Sequence, residues 1–388
     1  MKQVKGVNLG NWLVLEKWME PSLFTGTDAE DEYSLPRCLP REVYQARLAV
    51  HRSEYITERD FATIRAMGLN AVRIPVPYFI FGDFEPFVGC IEYLDKAFQW
   101  AERYGLQILI DLHTAPDGQN GFDNGGICGV CKWAQEPKMV EFELSVLERL
   151  AKRYGTHKSL WGIEILNEPV VDHLFEFMDV QKHYPPADPM MAAGSKGIPY
   201  KFLRNFYMEA YDRMRQYMTE EKYIVFHDAF QMTSWKDFMR EDKYKGVVLD
   251  AHLYLQTAET LGCPHTLDGY LHFIREYFEK NIAEMEHYFP VICGEWCLSN
   301  SLICNNKTSV NGLEQEPSGE SEAEQKKIYI ALAQAQLQAW EKGSGSFYWS
   351  YKLLADTGGQ PGVNGLNSWD LGRCIDFGWL PPRLNLPA

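Results

Sequence analysis

Two glutamates stand out by their setting. Glu168 closes the run Ile165-Leu166-Asn167-Glu168-Pro169, and Glu295 sits in Gly294-Glu295-Trp296. Each lies at the C-terminal end of a short apolar run of strand length. Other such ends carry Arg73, the pair Asp111 and His113, Asn167, the pair His252 and Tyr254, and Trp349. Two carboxylates on different strands, ringed by Arg, Asn, His, Tyr and Trp, form the constellation for glycoside hydrolysis. One carboxyl protonates the leaving oxygen while the other attacks the anomeric carbon. Retention of configuration by this route needs the two about 5–5.5 Å apart. His252 and Tyr254 are two apart on a strand, so both face one site.

These residues need a scaffold that gathers strand ends. Apolar runs at 4–9, 71–74, 107–112, 161–166, 223–227, 247–252, 290–294 and 346–349 read as strands that are apolar on both faces, as in a buried parallel sheet. Helical patterns lie between them at 58–67, 91–104, 137–154, 201–219, 267–287 and 321–342, the first led by Thr57 as N-cap. Gly68 and Gly105 mark places where a helix gives way to a strand. About eight β-then-α alternations predict a single (β/α)8 barrel spanning residues 1–388, with catalytic groups at the C-terminal strand ends. Segment 170–199, with Tyr184-Pro185-Pro186, is the longest irregular stretch. It and segments 297–321 and 350–376 read as loops on the catalytic face, where long loops are usually functional.

With those positions in view, the chain resembles glycoside hydrolase family 5 of clan A. Asn167-Glu168-Pro169 and Gly294-Glu295-Trp296 look like its acid/base and nucleophile signatures. Arg73, His113, His252, Tyr254 and Trp349 match its remaining active-site positions. The N-terminal Gly6-Val7-Asn8-Leu9-Gly10-Asn11-Trp12, Gln119-Asn120-Gly121-Phe122-Asp123-Asn124 and His227-Asp228-Ala229-Phe230-Gln231 resemble the exo-β-1,3-glucanase branch more narrowly. The resemblance implies Glu168 as acid/base and Glu295 as nucleophile. Glu168 is then expected protonated, held so by apolar neighbours and by its partner's negative field. Arg73 is placed to keep Glu295 ionised, since a nearby cation favours the charged form. Tyr254 is a donor to the same carboxylate, Asn167 a donor to the sugar 2-OH, and Trp349 the floor under the −1 sugar. The resemblance also implies that Glu16, His113 and Asp123 hold hydroxyls at a closed pocket end, which makes the enzyme exo-acting.

Composition excludes other classes. With 38 basic and 53 acidic residues in 388, the net charge is −15, which argues against a nucleic-acid partner and against an anionic membrane surface. No run of 18 or more apolar residues spans a membrane. Aromatic residues reach 14%, and such rings stack on sugar faces or fill a large core. Nine cysteines at scattered positions, and a start that runs straight into the first strand, read as reduced thiols of a cytoplasmic protein. Cys128-x-x-Cys131 has no second pair at metal spacing, so neither a metal nor a cofactor is expected. Asn306-Lys307-Thr308 fits the glycosylation pattern but goes unused without a secretory route. His227 and Asp228 either line the pocket or are structural.

One departure bears on substrate. The exo-glucanase branch clamps the +1 sugar between two aromatic side chains. Phe122 matches one half, but Thr257 stands where the second is expected. A small glycoside or oligosaccharide is therefore the expected partner, either a β-glucoside or a β-1,4-linked mannosyl disaccharide, because Asn167 serves both sugars at C2. The rival from another class is a catalytically inactive sugar-binding barrel.

Overall fold

The computed structural model describes residues 3–309, 312–317, 321–355 and 365–384. Eight parallel strands close into a barrel in the order β1-β10-β7-β6-β5-β4-β3-β2. They are β1 (Val4–Asn8), β2 (Ala71–Val76), β3 (Gln107–Leu112), β4 (Leu160–Glu164), β5 (Tyr223–His227), β6 (Val247–His252), β7 (Val291–Trp296) and β10 (Gly345–Tyr348). β8 (Cys304–Ser309) and β9 (Gly312–Pro317) form a separate antiparallel hairpin in the loop after β7. Every barrel pair is parallel, and the first strand closes on the last with Val7 opposite Tyr348.

The helices wrap the barrel because each carries one apolar face. Ile91–Tyr104 buries Leu94, Ala97, Phe98 and Ala101 and ends at Gly105, whose φ of 65° lies in the left-handed region that glycine adopts without strain. Glu58–Ala66 begins where the Thr57 N–H donates to Asp60 Oδ2 at 2.7 Å, a capping interaction that satisfies an otherwise orphaned end.

The structure departs from the sequence expectations in four places. Helix Arg41–Glu54 was not anticipated, because its buried face mixes Tyr44 and Leu48 with His51 and Arg52 and so hides the apolar period. The expected helix 267–287 is interrupted by a π-helical segment, Ile274–Glu279. Strand β4 ends at Glu164 rather than at Leu166, so Asn167 and Glu168 stand on the turn beyond it. Segment 170–199 is not irregular throughout. It holds three short helices, Asp172–Phe177, Val180–His183 and Pro189–Ala192, and is pinned at its base where Ile198 N–H donates to the Val170 carbonyl at 2.8 Å. Of the other two loops, residues 310–311, 318–320 and 356–364 lie outside the described residues. Asn306 of the glycosylation pattern falls in β8.

Candidate active site

The site is built around one buried cation. Arg73 projects inward from β2 and is fully buried. Its Nη1 donates to Glu295 Oε1 at 2.7 Å and to Asn8 Oδ1 at 3.0 Å. Its Nε donates to Glu164 Oε2 at 2.8 Å, and its Nη2 reaches Asn167 Oδ1 at 2.8 Å and Asp111 Oδ2 at 3.0 Å. Burial works against the guanidinium charge, but Asp111, Glu164 and Glu295 outweigh it and hold it charged. Burial raises Glu164 well above its ordinary value, although Arg73 pulls the other way.

Above this layer stand the two glutamates. Tyr254 Oη donates to Glu295 Oε2 at 2.6 Å. His252 Nδ1 lies 2.7 Å from Glu168 Oε1 and 3.5 Å from Glu295 Oε2. One nitrogen therefore bridges both carboxylates, and their nearest oxygens cannot be farther apart than those two distances laid end to end. That limit falls short of the roughly 6.5–9.5 Å gap that inverting glycosidases leave for a water. Glu168 has φ 43°, a left-handed conformation rare for a residue with a side chain and typical of functional sites. Its other oxygen accepts from Asn124 Nδ2 at 2.6 Å.

The proton is not where the sequence reading put it. Burial raises Glu168, but the hydrogen bond and charge of His252, together with Asn124, outweigh this and hold the carboxyl below its ordinary value. Burial opposes charge on His252 too, yet Glu295, Asp250 and Glu168 overcome it and raise the imidazole well above its usual range. Both directions favour a charged imidazole on His252 in hydrogen-bond contact with the Glu168 carboxylate. Burial raises Glu295 above its ordinary value, against the pull of His252 and Arg73.

Beside them lies the polar cluster that the sequence expectation puts at a blind end. Trp18 Nε1 donates to Glu16 Oε2 at 2.9 Å, and Asp123 Oδ1 accepts the Asn124 N–H at 3.0 Å. Burial and the Asp123 charge raise Glu16 well above its usual range, while burial raises Asp123 to about 6. His113 Nδ1 contacts Asp111 Oδ2 at 2.5 Å, and its ring stacks on Trp349 at 5.7 Å and 8°. Asn167 spends its Oδ1 on Arg73, which leaves its buried Nδ2 without a partner. An orphaned buried donor is costly, and a sugar hydroxyl would satisfy it.

The glutamates, the blind end and Trp349 open on one cavity of about 480 Å³. The family model for cellulase (glycosyl hydrolase family 5) matches residues 41–315. This chain belongs to glycoside hydrolase family 5. It is 33% identical over 417 residues to the probable glucan 1,3-β-glucosidase A of Emericella nidulans, covering 99% of this chain and 91% of that one. It is 31% identical over 397 residues to glucan 1,3-β-glucosidase 1 of Schizosaccharomyces pombe, covering 98% and 88%. Among solved structures, rutinosidase from Aspergillus niger superposes with a TM-score of 0.71 at 21% identity, covering 98% of both chains. A family 5 enzyme from Prevotella bryantii gives 0.60 at 17%, covering 97% and 95%. The chain is thus a glycoside hydrolase, and family 5 works with retention of anomeric configuration.

Of the eleven site residues read from the sequence, Glu16, Phe122, Asp123, Glu168, Tyr254, Glu295 and Trp349 line the cavity. Arg73, His113, Asn167 and His252 stand behind them. Phe122 does not face an aromatic partner near Thr257. Its ring lies 5.1 Å from Tyr184 and 6.2 Å from Phe230. His227 accepts the Ala229 N–H at Nδ1, and its ring meets that of His252 edge-on at 4.4 Å, so it supports the site from behind. Asp228 caps the same turn, with Oδ1 accepting from Phe230 N–H at 2.8 Å.

The sequence reading missed Asn124, Trp18 and Trp369 on the cavity wall, and Glu164 and Asp250 beneath it. Asp250 was within reach, since it lies two residues before His252 and shares its face. Metal-ligating atoms gather within 4.8 Å in two groups, Glu168-His227-His252 and Glu164-Asp250-His252. In the first, the Nδ1 of His227 is already taken by a backbone N–H; in the second, Glu164 is bound to Arg73. Cys128 and Cys131 belong to neither group. Both are buried free thiols, and Cys131 packs in the apolar cluster under Phe122.

Proposed function

We propose that this protein is a retaining exo-β-glycosidase that releases single β-D-glucosyl units from the non-reducing end of a β-glucoside. Glu295 attacks the anomeric carbon while Glu168 delivers a proton to the departing oxygen. The C1–O bond breaks and a glycosyl ester forms on Glu295. Water then attacks the anomeric carbon, giving its proton to Glu168; the C1–O bond to Glu295 breaks, the carboxylate is freed, and the sugar leaves with its configuration retained. The observation that carries this reading is the single imidazole nitrogen in reach of both glutamates, with Arg73 and Tyr254 on the oxygens of Glu295. Arrival of a leaving oxygen beside Glu168 draws the His252 proton across a 2.7 Å bridge. Loss of the Glu295 charge in the ester removes the main attraction that kept His252 protonated.

Exo action is supported by Glu16, Trp18 and Asp123, a polar cluster on the cavity lining suited to the hydroxyls of a terminal sugar. Glucose rather than mannose at −1 is supported by relatives named glucan 1,3-β-glucosidases. A reducing, cytoplasmic setting is supported by the eight cysteines among the described residues that are free thiols.

Nitrophenyl β-glucoside and β-mannoside, assayed side by side with the product anomer read by NMR, test the reading. Glucoside turnover with a β first product is expected. An α first product defeats retention, faster mannoside turnover defeats the glucose assignment, and binding without turnover leaves the inactive-barrel alternative standing.

A further inference from the structure

We propose that the mouth of this pocket receives an apolar aglycone, an alkyl, aryl or polycyclic alcohol, and not a second sugar. The inference rests on the glycosidase reading above and names the leaving group it left open. The lining of the cavity divides into two kinds. Glu16, Asp123 and Trp18 are suited to hydroxyls. Phe122, Phe177, Met178, Val180, Tyr184 and Phe230 make up an apolar stretch.

Four observations make this wall a surface for apolar groups. Phe122, Tyr184 and Phe230 close on one another, with centroids 5.1 and 6.2 Å apart and tilts of 38° and 61°. A pyranose clamp needs two parallel faces with a sugar's thickness between them, and this arrangement has no such gap. Phe177 is 67% exposed, yet it lines the cavity and continues the same wall outward, so a ligand that covers it gains apolar burial. The polar side chains across the mouth have their donors engaged: Gln256 Nε2 donates to Ser299 Oγ at 3.0 Å, and Thr257 Oγ1 donates to the Tyr254 carbonyl at 2.7 Å. The His183 ring, the Thr260 and Tyr184 hydroxyls and the unpartnered Trp369 Nε1 remain on the lining, a sparse and scattered set for the three or more hydroxyls of a second sugar.

The fourth observation is how the wall is held. Ala229 and Phe230 sit at φ 52° and 58°, in the left-handed region that side chains rarely occupy. The Phe230 N–H is fixed there by Asp228 Oδ1 at 2.8 Å. Phe175 and Val180 of the pinned 170–199 loop back the rings from below, with Cys131 in the same cluster. The substituted Thr257 is thus replaced by rings from two other loops, which form a continuous floor rather than a clamp.

Octyl and methyl β-D-glucoside test this, because both leave as simple alkanols and differ only in apolar length. Laminaribiose serves as the sugar-aglycone control, with octyl glucoside kept below its micelle concentration. The full chain is expected to show a kcat/KM for octyl above that for laminaribiose and about tenfold or more above that for methyl. Phe177→Ser is expected to cut the octyl-to-methyl ratio by about fivefold to tenfold, mainly through KM. Its thermal melt should match wild type because the ring lies outside the core. A flat octyl-to-methyl ratio, a ratio that ignores Phe177→Ser, or a preference for laminaribiose would overturn the apolar aglycone and leave the glycosidase reading intact. Failure on all β-glucosides, the nitrophenyl one included, would overturn the glycosidase reading itself.

Discussion

The interior of the barrel changes character within two residues. At its N-terminal end Val4, Ala71, Leu109, Trp161, Val225, Val248, Ile292 and Phe347 pack as a dry apolar layer. One inward-facing step further along the same strands, Ala71 is followed by Arg73, Leu109 by Asp111, Val225 by His227 and Val248 by Asp250. Both layers are fully buried, so burial is not what distinguishes them. The apolar layer needs only volume, and neighbours can share a loss. The polar layer is tolerable only because its members are paired, since a buried charge left alone costs several kcal/mol. Even a glycine is tied to this pairing. A Cβ on Gly294 would come within 1.9 Å of Asp250 Oδ2, and the Gly294 N–H itself donates to Asp250 Oδ1 at 2.6 Å. One layer makes the barrel stand and the other makes it react.

That contrast is open to direct attack, and Glu295→Ala is the strongest blow. It should cut kcat on a glucoside by about 10⁴-fold or more. Added azide should restore turnover and give the α product, read by NMR. Near-normal activity would remove the polar layer's claim to the chemistry. Leu109→Ala strikes the other layer. It should cost about 2–5 kcal/mol in denaturant unfolding, by lost burial and the cavity left behind. The folded fraction should keep the wild-type KM for nitrophenyl glucoside; a tenfold change there would mean that the layers are coupled.

Glu16→Ala probes the blind end and should lower kcat/KM by about 2- to 10-fold, the worth of a neutral hydrogen bond of roughly 0.5–1.5 kcal/mol. An unchanged kcat/KM would put the sugar elsewhere. Glu32→Gln sharpens the comparison from outside, because Glu32 is a buried acid away from the Arg73 cluster. Burial raises Glu32 to about 8, against the pull of Arg52. Between about pH 4.5 and 8 the folded state keeps a proton that the unfolded chain gives up, so its contribution to stability declines as pH rises and levels off above 8. The variant lacks this slope, and its Tm relative to wild type should rise by about 4 °C from pH 5 to pH 8. A parallel pair of melting curves would show that isolated acids are borne as easily as paired ones.

The barrel was legible because its strands are apolar on both faces, a pattern that survives without any knowledge of partners. Six of the seven intervals between barrel strands announced at least one helix by its period. Helix Arg41–Glu54 went unannounced, because its inward His51 and Arg52 satisfy backbone carbonyls of Asn11 and Val88 that are remote in sequence. The two glutamates were legible from strand-end position and motif. The protonation of the pair was not. It depends on a 2.7 Å contact between residues 84 positions apart, which only the closed barrel creates. The apolar mouth was hidden for a similar reason: Tyr184 and Phe230 lie on loops whose convergence on Phe122 no local pattern records.

The cavity described above, about 480 Å³ in volume, is lined by four carboxyl groups, Glu16, Asp123, Glu168 and Glu295. Burial holds the Glu16 proton, so Glu168 and, above about pH 6, Asp123 supply the negative charge that draws a cation as well as a sugar. A compact ammonium ion bearing several hydroxyls would satisfy both demands at once, so the amine of a Tris buffer should act as a competitive inhibitor. Its grip should tighten as pH climbs through about 6, where Asp123 gives up its proton, and fade once the amine loses its own. KM for nitrophenyl glucoside measured in Tris and in phosphate at matched ionic strength reads this directly. The same acidity that prepares the pocket for an oxocarbenium-like sugar makes the choice of buffer part of the enzyme's apparent affinity.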